Sequence, residues 1–552
     1  MKDEILFCPL GGAGEIGMNL NLFAFGKPDH HEWIIVDLGV TFADDTIPGV
    51  DLIYPDTGFI EDKKDNLLGI VLTHAHEDHI GAVAIVWPKL KCNIYATPFT
   101  AALVLEKFRE RKIDISKYLK IVQLGNTIKL GNFKIEFVSL THSIVEPNAL
   151  FIETPIGKIL HTGDWKYDQN PLVGKKLNVE RLKEIGNKGV TLMICDSTNI
   201  FSLGRSGSED EVRKNLLKII ERLKKKIIVT SFASNVARME TIFYCAKKTG
   251  RQISLVGRSM HRIYNAAKQC GYLKDLIEPV DPRESKNFSR DKIIYLCTGS
   301  QGEPMGAMNR ISNYSHPDVH VEAGDAVIFS SKIIPGNEKK LYKLHNQLVR
   351  EGVEVISEET DFVHVSGHPN RDELKDMYNW IKPKSLIPVH GEQRHMLEHI
   401  HFAKEMKVPF PIKVENGDIV RISNEGNIEL FDKAPYGKIF LDGEVGVDED
   451  AISIKERKNL SNNGYLGITI LINTSGNIHN KPIINFKGLP ISNKDDFKYL
   501  LQEEIEKLIR TFSLNNKKQQ ENLIETLKIN CRKIVKEKTG KKPITNINLV
   551  RV

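Results

Sequence analysis

Residues 67–79 read Leu67-Leu68-Gly69-Ile70-Val71-Leu72-Thr73-His74-Ala75-His76-Glu77-Asp78-His79. The apolar run predicts a buried strand, and four residues of the kinds that bind metal follow at its end. Imidazole and carboxylate together suit zinc or manganese. Because His74 and His76 alternate with Asp78 and His79, a turn can direct one pair toward each of two ions. The alternative is a histidine-rich polar loop without a cation, but the crowding of these residue types favours a metal-dependent hydrolase.

The composition is that of a globular protein. The chain has 552 residues, 41% of them hydrophobic and 27% charged, which predicts two to four domains. No apolar run approaches the roughly 20 residues that a membrane helix needs, and Met1 to Glu4 lead into a strand-like Ile5-Leu6-Phe7 without a secretory signal. The seven cysteines are scattered without a Cys-x-x-Cys pair, which predicts reduced thiols. We expect a cytoplasmic protein with no membrane partner.

The net charge of +6 is unevenly distributed. Residues 451–552 carry 19 Lys and Arg against 9 Asp and Glu, whereas residues 1–450 carry 58 against 62. Such a basic tail can hold a polyanion through phosphate contacts. A basic, solvated face on an ordinary small domain explains the same charge.

The hydrophobic pattern changes along the chain. Up to about residue 200, short apolar runs alternate with turns, and helical patterns occur at 80–87 and 100–111, which indicates a layered α/β or α+β domain. From Ser208, amphipathic segments alternate with buried-type strands, which predicts a second domain with a doubly wound parallel sheet. The tail is predicted to be a compact α/β domain with a strand at 464–472, a polar turn, helices at 495–511 and 519–537, and a strand at 544–550.

One motif near the start imitates a dinucleotide-binding fingerprint. Gly12-Ala13-Gly14-Glu15-Ile16-Gly17 fits G-x-G-x-x-G, follows a strand and precedes Asp37 by about 20 residues. The residues after Gly17 alternate in the manner of a strand pair and show no apolar stripe at helical spacing. Without a helix N-terminus to face a pyrophosphate, the motif does not predict cofactor binding.

Further candidate ligands lie where predicted strands end. His142 follows the strand at 133–140, Asp164 lies in His161-Thr162-Gly163-Asp164, Asp196 follows Cys195, and His390 follows Val389. Strand ends hold side chains rigidly and allow short loops to converge. Each residue alone is better explained as an ordinary polar side chain, but together with His74 to His79 they favour one metal site.

With these residues assembled, the chain resembles the β-CASP nucleases of the metallo-β-lactamase superfamily, and most of all the bacterial ribonucleases of that group. The resemblance covers nearly the whole chain and is carried by these segments: 11–17, Asp37, 74–79, His142, 161–164, 196–199, 232–235, 298–304, 334–337, 364–368 and 388–392. It implies an α/β protein with a metallo-β-lactamase αββα sandwich, an inserted β-CASP α/β domain and a small C-terminal α/β domain. The implied boundaries are 1–207 and 369–450 for the sandwich, 208–368 for the insert and 455–552 for the C-terminal domain.

The resemblance also implies roles for individual residues. His74, His76 and His142 hold one metal ion, Asp78, His79 and His390 hold the other, Asp164 bridges them, and Asp37 orders the ligand loop. His368 donates a proton to the departing oxygen with Asp196 holding it, so His368, Asp196 and Asp78 are the expected catalytic residues. The alternative for His368 is a turn cap before Pro369.

Substrate contacts are expected in the insert. Backbone and hydroxyl groups of His364, Val365, Ser366, Gly367 and His368, with Ser300 and Gly302, are expected to hold a terminal 5′ phosphate. RNA phosphates are expected to pass Ser234, Asn235, Arg238 and Arg258, although ordinary surface polarity explains each of these four nearly as well. A structural calcium ion is expected at Asp51 and Asp442.

The expected function is therefore a two-metal ribonuclease, with zinc as the first choice of cofactor and manganese or magnesium as alternatives. It would degrade single-stranded RNA in the 5′ to 3′ direction from monophosphate ends and also cut internally, in RNA decay and maturation. The tail is expected to form homodimer or homotetramer contacts, and other RNA-decay proteins are expected partners. The rival interpretations are a DNA nuclease or another metal hydrolase of the same superfamily, such as a lactonase or thioesterase, and a non-catalytic RNA-binding scaffold.

Overall fold

The computed structural model of the protein describes residues 2–44, 46–473, 478–512 and 516–552. The chain divides into two compact units. The first comprises Met1–Thr41 and Tyr54–Gly437, and the second comprises Phe42–Ile53 and Lys438–Val552. All seven cysteines are unpaired. Among the described residues, no helix is both long enough and apolar enough to cross a membrane.

The first unit contains two large sheets. The eight strands of the first sheet lie in the order Ile428–Lys433, Asp418–Ser423, Glu4–Gly11, Leu20–Gly26, Glu32–Val36, Leu67–Val71, Ile94–Ala96 and Leu119–Ile121. The seven strands of the second lie in the order Thr127–Leu130, Phe133–Ser139, Asn148–Glu153, Lys158–His161, Leu192–Asp196, Ser385–Val389 and Phe410–Pro411. In the second sheet the strands ending at His161, Asp196 and Val389 are parallel neighbours, so their carboxyl ends meet at one edge.

The two sheets pack face to face with helices outside. Inward-facing residues of both sheets, such as Phe7 and Phe23 from the first and Phe137 and Ile194 from the second, form one buried core. The opposite face of the second sheet packs on helices Val179–Asn187, Arg371–Ile381 and Gln393–Glu405. Along the chain, strands of the first sheet are separated by the helices Gly58–Glu61, Glu77–Ile80, Val83–Leu90 and Pro98–Glu110. This is the αββα sandwich that the resemblance implied.

A five-stranded sheet lies within the segment expected to be inserted. All its strands are parallel, in the order Gln252–Val256, Ile293–Cys297, Ile227–Thr230, Ala326–Phe329 and Glu354–Ile356. Its helices are Glu209–Arg222, Val236–Lys248, Arg258–Gln269, Ala307–Ser312 and Glu338–Arg350. Ser208 begins the first helix with a reciprocal capping box to Glu211, which explains why the pattern changes there.

The second unit has two small sheets. One pairs Val445–Asp448 with Lys438–Asp442, and the other has the order Ile483–Lys487, Tyr465–Ile472 and Ile544–Arg551. Its helices are Ile452–Asn463, Lys494–Ile509 and Lys517–Thr539. Apolar residues of the last two helices, such as Leu501 and Leu527, pack on Ile468 of the central strand.

The tail differs from its predicted pattern at two places. The segment before residue 464 forms the helix Ile452–Asn463, which the sequence did not predict because Ile454 is its only buried residue and leaves little apolar periodicity to detect. Part of the predicted polar turn, Ile483–Lys487, is an edge strand with only Ile484 buried. Outside the tail, the single helix expected at 80–87 is replaced by two helices, Glu77–Ile80 and Val83–Leu90. The first of them ends the loop that carries the candidate ligands.

Candidate metal centre and active site

Asp37 organises the loop that follows the strand Leu67–Val71. Its buried carboxylate accepts hydrogen bonds from the Thr73 backbone N–H at 2.8 Å and the Thr73 hydroxyl at 2.7 Å. Its Oδ2 also lies 2.7 Å from Nδ1 of His79. A carboxylate at one ring nitrogen fixes the imidazole so that the other, Nε2, faces the site. Asp37 therefore orders the ligand loop, which is the role that the resemblance implied for it.

His74, His76 and His142 converge at one point. Nε2 of His74 and Nε2 of His142 lie 3.0 Å and 3.1 Å from Nδ1 of His76. Burial lowers the pKa of His76 to about 4 and holds the pKa values of His74 and His142 well below the ordinary value. All three rings are thus neutral near pH 7 and present nitrogen lone pairs to a shared point, which is the donor set that a zinc-type cation binds.

Asp78, His79 and His390 form a second group that shares Asp164 with the first. Oδ2 of Asp164 lies 3.2 Å from Nε2 of His79 and 3.3 Å from Nε2 of His390. The same oxygen lies 3.9 Å from Nε2 of His74 and of His142. Burial by itself would raise the pKa of Asp164, but His390 and His79 hold it well below its ordinary value. The carboxylate is therefore ionised and lies between the two groups.

The glycine-rich motif near the N-terminus supports this site. The backbone N–H of His390 donates to the carbonyl of Gly12 at 2.7 Å, and that of Asn19 donates to the carbonyl of Asp78 at 2.9 Å. Nδ2 of Asn19 lies 3.0 Å from Nδ1 of His390. Gly12 has φ +86°, and a Cβ on it would lie 2.3 Å from Oδ1 of Asn19. The sequence indicated neither this role for the motif nor the role of Asn19, because a single asparagine between strands carries no distinctive signal.

His368 lies beside both groups. Its Nδ1 lies 2.8 Å from Oδ2 of Asp196 and 3.9 Å from Oδ2 of Asp164. Burial alone would lower the pKa of His368, but the Asp196 charge and hydrogen bond outweigh burial and raise it to about 9. The other oxygen of Asp196 accepts from the Thr198 backbone and hydroxyl, which fixes the carboxylate. The side chain of His368 is 22% exposed, so the imidazole is accessible to solvent at the edge of the two groups.

The segment 364–368, with Val365 buried within it, joins the insert to the site. The Ser366 hydroxyl accepts from Nδ2 of Asn199 at 2.7 Å and from the His368 backbone N–H at 3.2 Å. Nδ1 of His364 is buried and has no hydrogen-bond partner in the part of the chain that the structure describes. Ser300 is buried as well, and Gly302 has φ +73°.

The structure corrects the prediction for Arg238, which lies in the helix Val236–Lys248 and is fully buried. Its Nε and Nη2 pair with the Glu209 carboxylate at 3.0–3.2 Å, and its Nη1 donates to the carbonyls of Ser330 and Val363. With its donors used in this way, Arg238 is not presented to RNA. Buried Asn235 caps the same helix, with its Oδ1 accepting from the Arg238 backbone.

Two of the four predicted RNA contacts remain accessible. Ser234 is half-buried, and Arg258 is exposed at the start of its helix. The predicted calcium pair is not part of a ligand cluster. Asp442 forms an ion pair of 2.5 Å with Arg457, and Asp51 is exposed. In the described residues, the groups that can hold a metal ion are the two around Asp164 and the Asp164, Asp196 and His368 group.

The fold and the site define a metal-dependent hydrolase of the metallo-β-lactamase superfamily with a β-CASP insert. Four family models match successive parts of the chain: the metallo-beta-lactamase superfamily at 29–230, the ribonuclease J beta-CASP domain at 224–348, the Zn-dependent metallo-hydrolase RNA specificity domain at 352–414 and the ribonuclease J C-terminal domain at 452–552.

Curated relatives match over the same length. The chain is 37% identical to ribonuclease J of Sinorhizobium meliloti over 552 residues, which is 100% of this chain and 98% of the relative. It is 38% identical to ribonuclease J of Mycolicibacterium smegmatis over 84% of this chain and 82% of the relative. It is 32% identical to ribonuclease J of Helicobacter pylori strain B128 over 94% of this chain and 76% of the relative. The chain belongs to the ribonuclease J family, and it is a metal-dependent ribonuclease.

Proposed function

We propose that the protein is a two-metal ribonuclease that degrades RNA from 5′-monophosphate ends in the 5′ to 3′ direction and also cuts internally, in RNA decay and maturation. The observation that carries the proposal is the pair of ligand groups around Asp164, with His368 and its partner Asp196 beside them. Two cation sites and one proton donor are the parts that hydrolysis of a phosphodiester needs.

The donor set fits two divalent cations. His74, His76, His142 and Asp164 form one group, and Asp78, His79, His390 and Asp164 form the other. Imidazole nitrogens with carboxylate oxygens suit zinc first, with manganese or magnesium as alternatives. Bound there, two such cations supply a nucleophilic water at neutral pH and offset the charge of the phosphoryl oxygens. Oδ2 of Asp78 lies 3.6 Å from Nε2 of His390, which supports assigning Asp78 to the second group.

His368 delivers the proton that the departing 3′ oxygen needs. The Asp196 carboxylate at Nδ1 stabilises the imidazolium and directs Nε2 away from itself. Because the His368 ring lies 5.0 Å from the His142 ring and 5.5 Å from the His390 ring, its free edge borders both ligand groups. A proton donor at that edge can serve the leaving group.

The segment 364–368 is the proposed pocket for the terminal phosphate. Burial holds the pKa of His364 well below its ordinary value, and the charges of Arg238, Lys166 and Lys332 lower it further. The buried Nδ1 of His364 is without a partner among the described residues, which makes it a candidate hydrogen-bonding group for the phosphate. Ser300 and Gly302 remain proposed contributors. Such a pocket accounts for a preference for monophosphate ends.

The remaining features of the proposal concern assembly and location. Residues 455–552 are proposed to form dimer or tetramer contacts, and their basic residues to add electrostatic attraction for RNA. Single-stranded RNA passes Ser234 and Arg258 in this proposal. We place the protein in the cytoplasm with other RNA-decay proteins.

The test uses RNA labelled at its 5′ end. We expect early release of labelled mononucleotide, faster from 5′-monophosphate RNA than from 5′-triphosphate RNA, and slower cleavage of DNA of the same sequence. Equal rates for the two RNA ends would refute the terminal pocket. Label confined to longer fragments would refute the exonuclease activity, and DNA cleaved as fast as RNA would favour a DNA nuclease.

A further inference from the structure

The segment that carries His368 has no regular structure of its own. Residues 363–368 belong to neither a helix nor a strand, so their buried carbonyl groups need hydrogen-bond donors from elsewhere. Side-chain donors from other parts of the chain supply them. Nη1 of Arg238 reaches Val363 O at 2.9 Å, Nζ of Lys166 reaches Ser366 O at 3.2 Å, Nδ1 of His142 reaches Gly367 O, and Nδ2 of Asn199 reaches His368 O at 3.1 Å.

Lys166 is the donor without a role so far. It is 1% exposed and follows the shared ligand Asp164 by two residues. Besides Ser366 O, its Nζ donates to the carbonyl of Gly207 at 3.0 Å and lies 3.8 Å from Oδ2 of Asp168. A buried ammonium is costly unless its charge and its protons are satisfied, and here two carbonyls and a carboxylate satisfy them.

These contacts join three functional parts at one nitrogen atom. Asp168, which faces the ammonium, also accepts from the Ser208 hydroxyl at 2.7 Å and the Glu209 backbone at 3.0 Å, where the insert begins. Ser366, whose carbonyl Lys166 holds, accepts at its hydroxyl from the His368 backbone at 3.2 Å. The ligand loop, the start of the insert and the turn before His368 are thus fixed relative to one another.

We propose that Lys166 is a positioning residue that sets His368 against the metal centre by holding the carbonyls of Ser366 and Gly207. The proposal rests on the proton-donor role of His368 given above. Without the ammonium, Ser366 O and Gly207 O lose their donor and Asp168 loses its counter-charge. The turn before His368 then relaxes, and proton delivery to the departing oxygen suffers before metal binding does.

The experiment compares two leaving atoms in one RNA. Two 5′-monophosphate RNAs are made that are identical except that the first linkage carries a bridging 3′ oxygen or a bridging 3′ sulfur. In each, water attacks phosphorus and the bond to the 3′ atom breaks; oxygen leaves with a proton from His368, whereas sulfur leaves as a thiolate that needs none. Since general acid catalysis is worth roughly 10²–10⁴-fold, His368→Ala should slow the oxygen substrate by about that factor and the sulfur substrate far less.

Lys166→Met should reproduce this selectivity, with turnover on the oxygen substrate reduced roughly 10- to 100-fold and turnover on the sulfur substrate by less than about 3-fold. The matched control is Lys226→Met, because Lys226 is also buried, donates to His320 O at 2.9 Å and lies 3.5 Å from Asp325. It should slow both substrates equally or not at all. If Lys166→Met does not fold, Lys166→Gln can replace it, because the amide keeps a donor nitrogen. It should also slow the oxygen substrate more than the sulfur substrate, with a smaller difference between the two.

Three results overturn the inference. If Lys166→Met slows both substrates equally while His368→Ala is selective for oxygen, Lys166 acts through the fold and does not position His368. If Lys226→Met shows the oxygen selectivity as well, the effect is a general consequence of losing a buried lysine. If His368→Ala is not selective, the proposed proton donor is wrong, and the inference fails with it.

Discussion

The hydrogen bond from His368 to Asp196 sets the charge of the proposed proton donor, and Asp196→Asn removes that charge while keeping the size of the side chain. Burial alone lowers the pKa of His368, whereas Asp196, followed by Asp164 and Asp78, raises it, and the result is a pKa of about 9. Without the Asp196 carboxylate, the pKa of His368 falls toward or below the ordinary value of about 6.5. At about pH 7.5, the protonated fraction then drops from nearly all to roughly one-tenth or less.

The sign of the pH effect follows from the role of an acid. A proton donor acts only while it is protonated, so its contribution is present below its pKa and is lost as the pH rises through it. We therefore expect Asp196→Asn to slow RNA cleavage about 10-fold or more near pH 7.5. As the pH rises, the cleavage rate of this variant should fall at a lower pH than the cleavage rate of the unchanged protein. Bound cations repel the imidazolium and lower the pKa of His368 in both proteins, so the shift between the two profiles is the quantity to measure.

The assay is turnover of 5′-monophosphate RNA under saturating metal, recorded from about pH 6 to 9. The matched control is Asp325→Asn, because Asp325 is another fully buried carboxylate and pairs with Arg290 at 2.6 Å in the insert. The control should leave the shape of the profile unchanged. A profile for Asp196→Asn that is lower at every pH by the same factor would refute the reasoning, since it would mean that Asp196 does not govern the protonation of His368.

Three further predictions concern the metal site and the insert. His76→Ala or Asp78→Ala should abolish RNA cleavage with an unchanged circular dichroism spectrum, and full activity in either variant would remove that residue from the ligands. Gly39→Ala should reduce metal content, because the added Cβ would lie 1.7 Å from the carbonyl oxygen of Asp78, whereas Gly437→Ala meets nothing nearer than 3.7 Å and should bind metal normally. Arg238→Met should lower the free energy of unfolding by about 3–5 kcal/mol, because it leaves the buried Glu209 without its partner. Arg283→Met, at a side chain 83% exposed, should change it by less than about 0.5 kcal/mol in the same denaturation assay, and equal effects would contradict the buried pair.

Most members of the ligand groups could be predicted because they follow a strand end. Strong apolar runs locate the strands before His74, His142 and His390, and parallel pairing brings the strand ends before Asp164 and His390 to one edge. The alternation within residues 74–79 predicted one pair of ligands for each of two ions, but the places of His142, His390 and Asp164 in that division came only from the resemblance. The structure places the groups in that division.

The supporting residues could not be predicted, because their contacts join distant segments. Lys166 and Ser366 are 200 positions apart, and Asn19 and His390 are 371 apart. Arg238 was misplaced for a related reason. An arginine near the start of a helix is usually solvated, and only Glu209, which is 29 residues away, makes its burial favourable. Sequence patterns predict local burial well, but they do not predict which buried charged side chains form a pair.

The central claim is that two divalent cations share Asp164, and it is tested by titrating the metal-free protein with zinc while measuring both bound zinc and release of 5′-labelled mononucleotide. We expect activity to rise with occupancy and to reach its maximum only when two zinc ions are bound per chain. His76→Ala should bind fewer ions and stay inactive throughout. Full activity with a single bound ion per chain, or with none, would contradict the two-metal site.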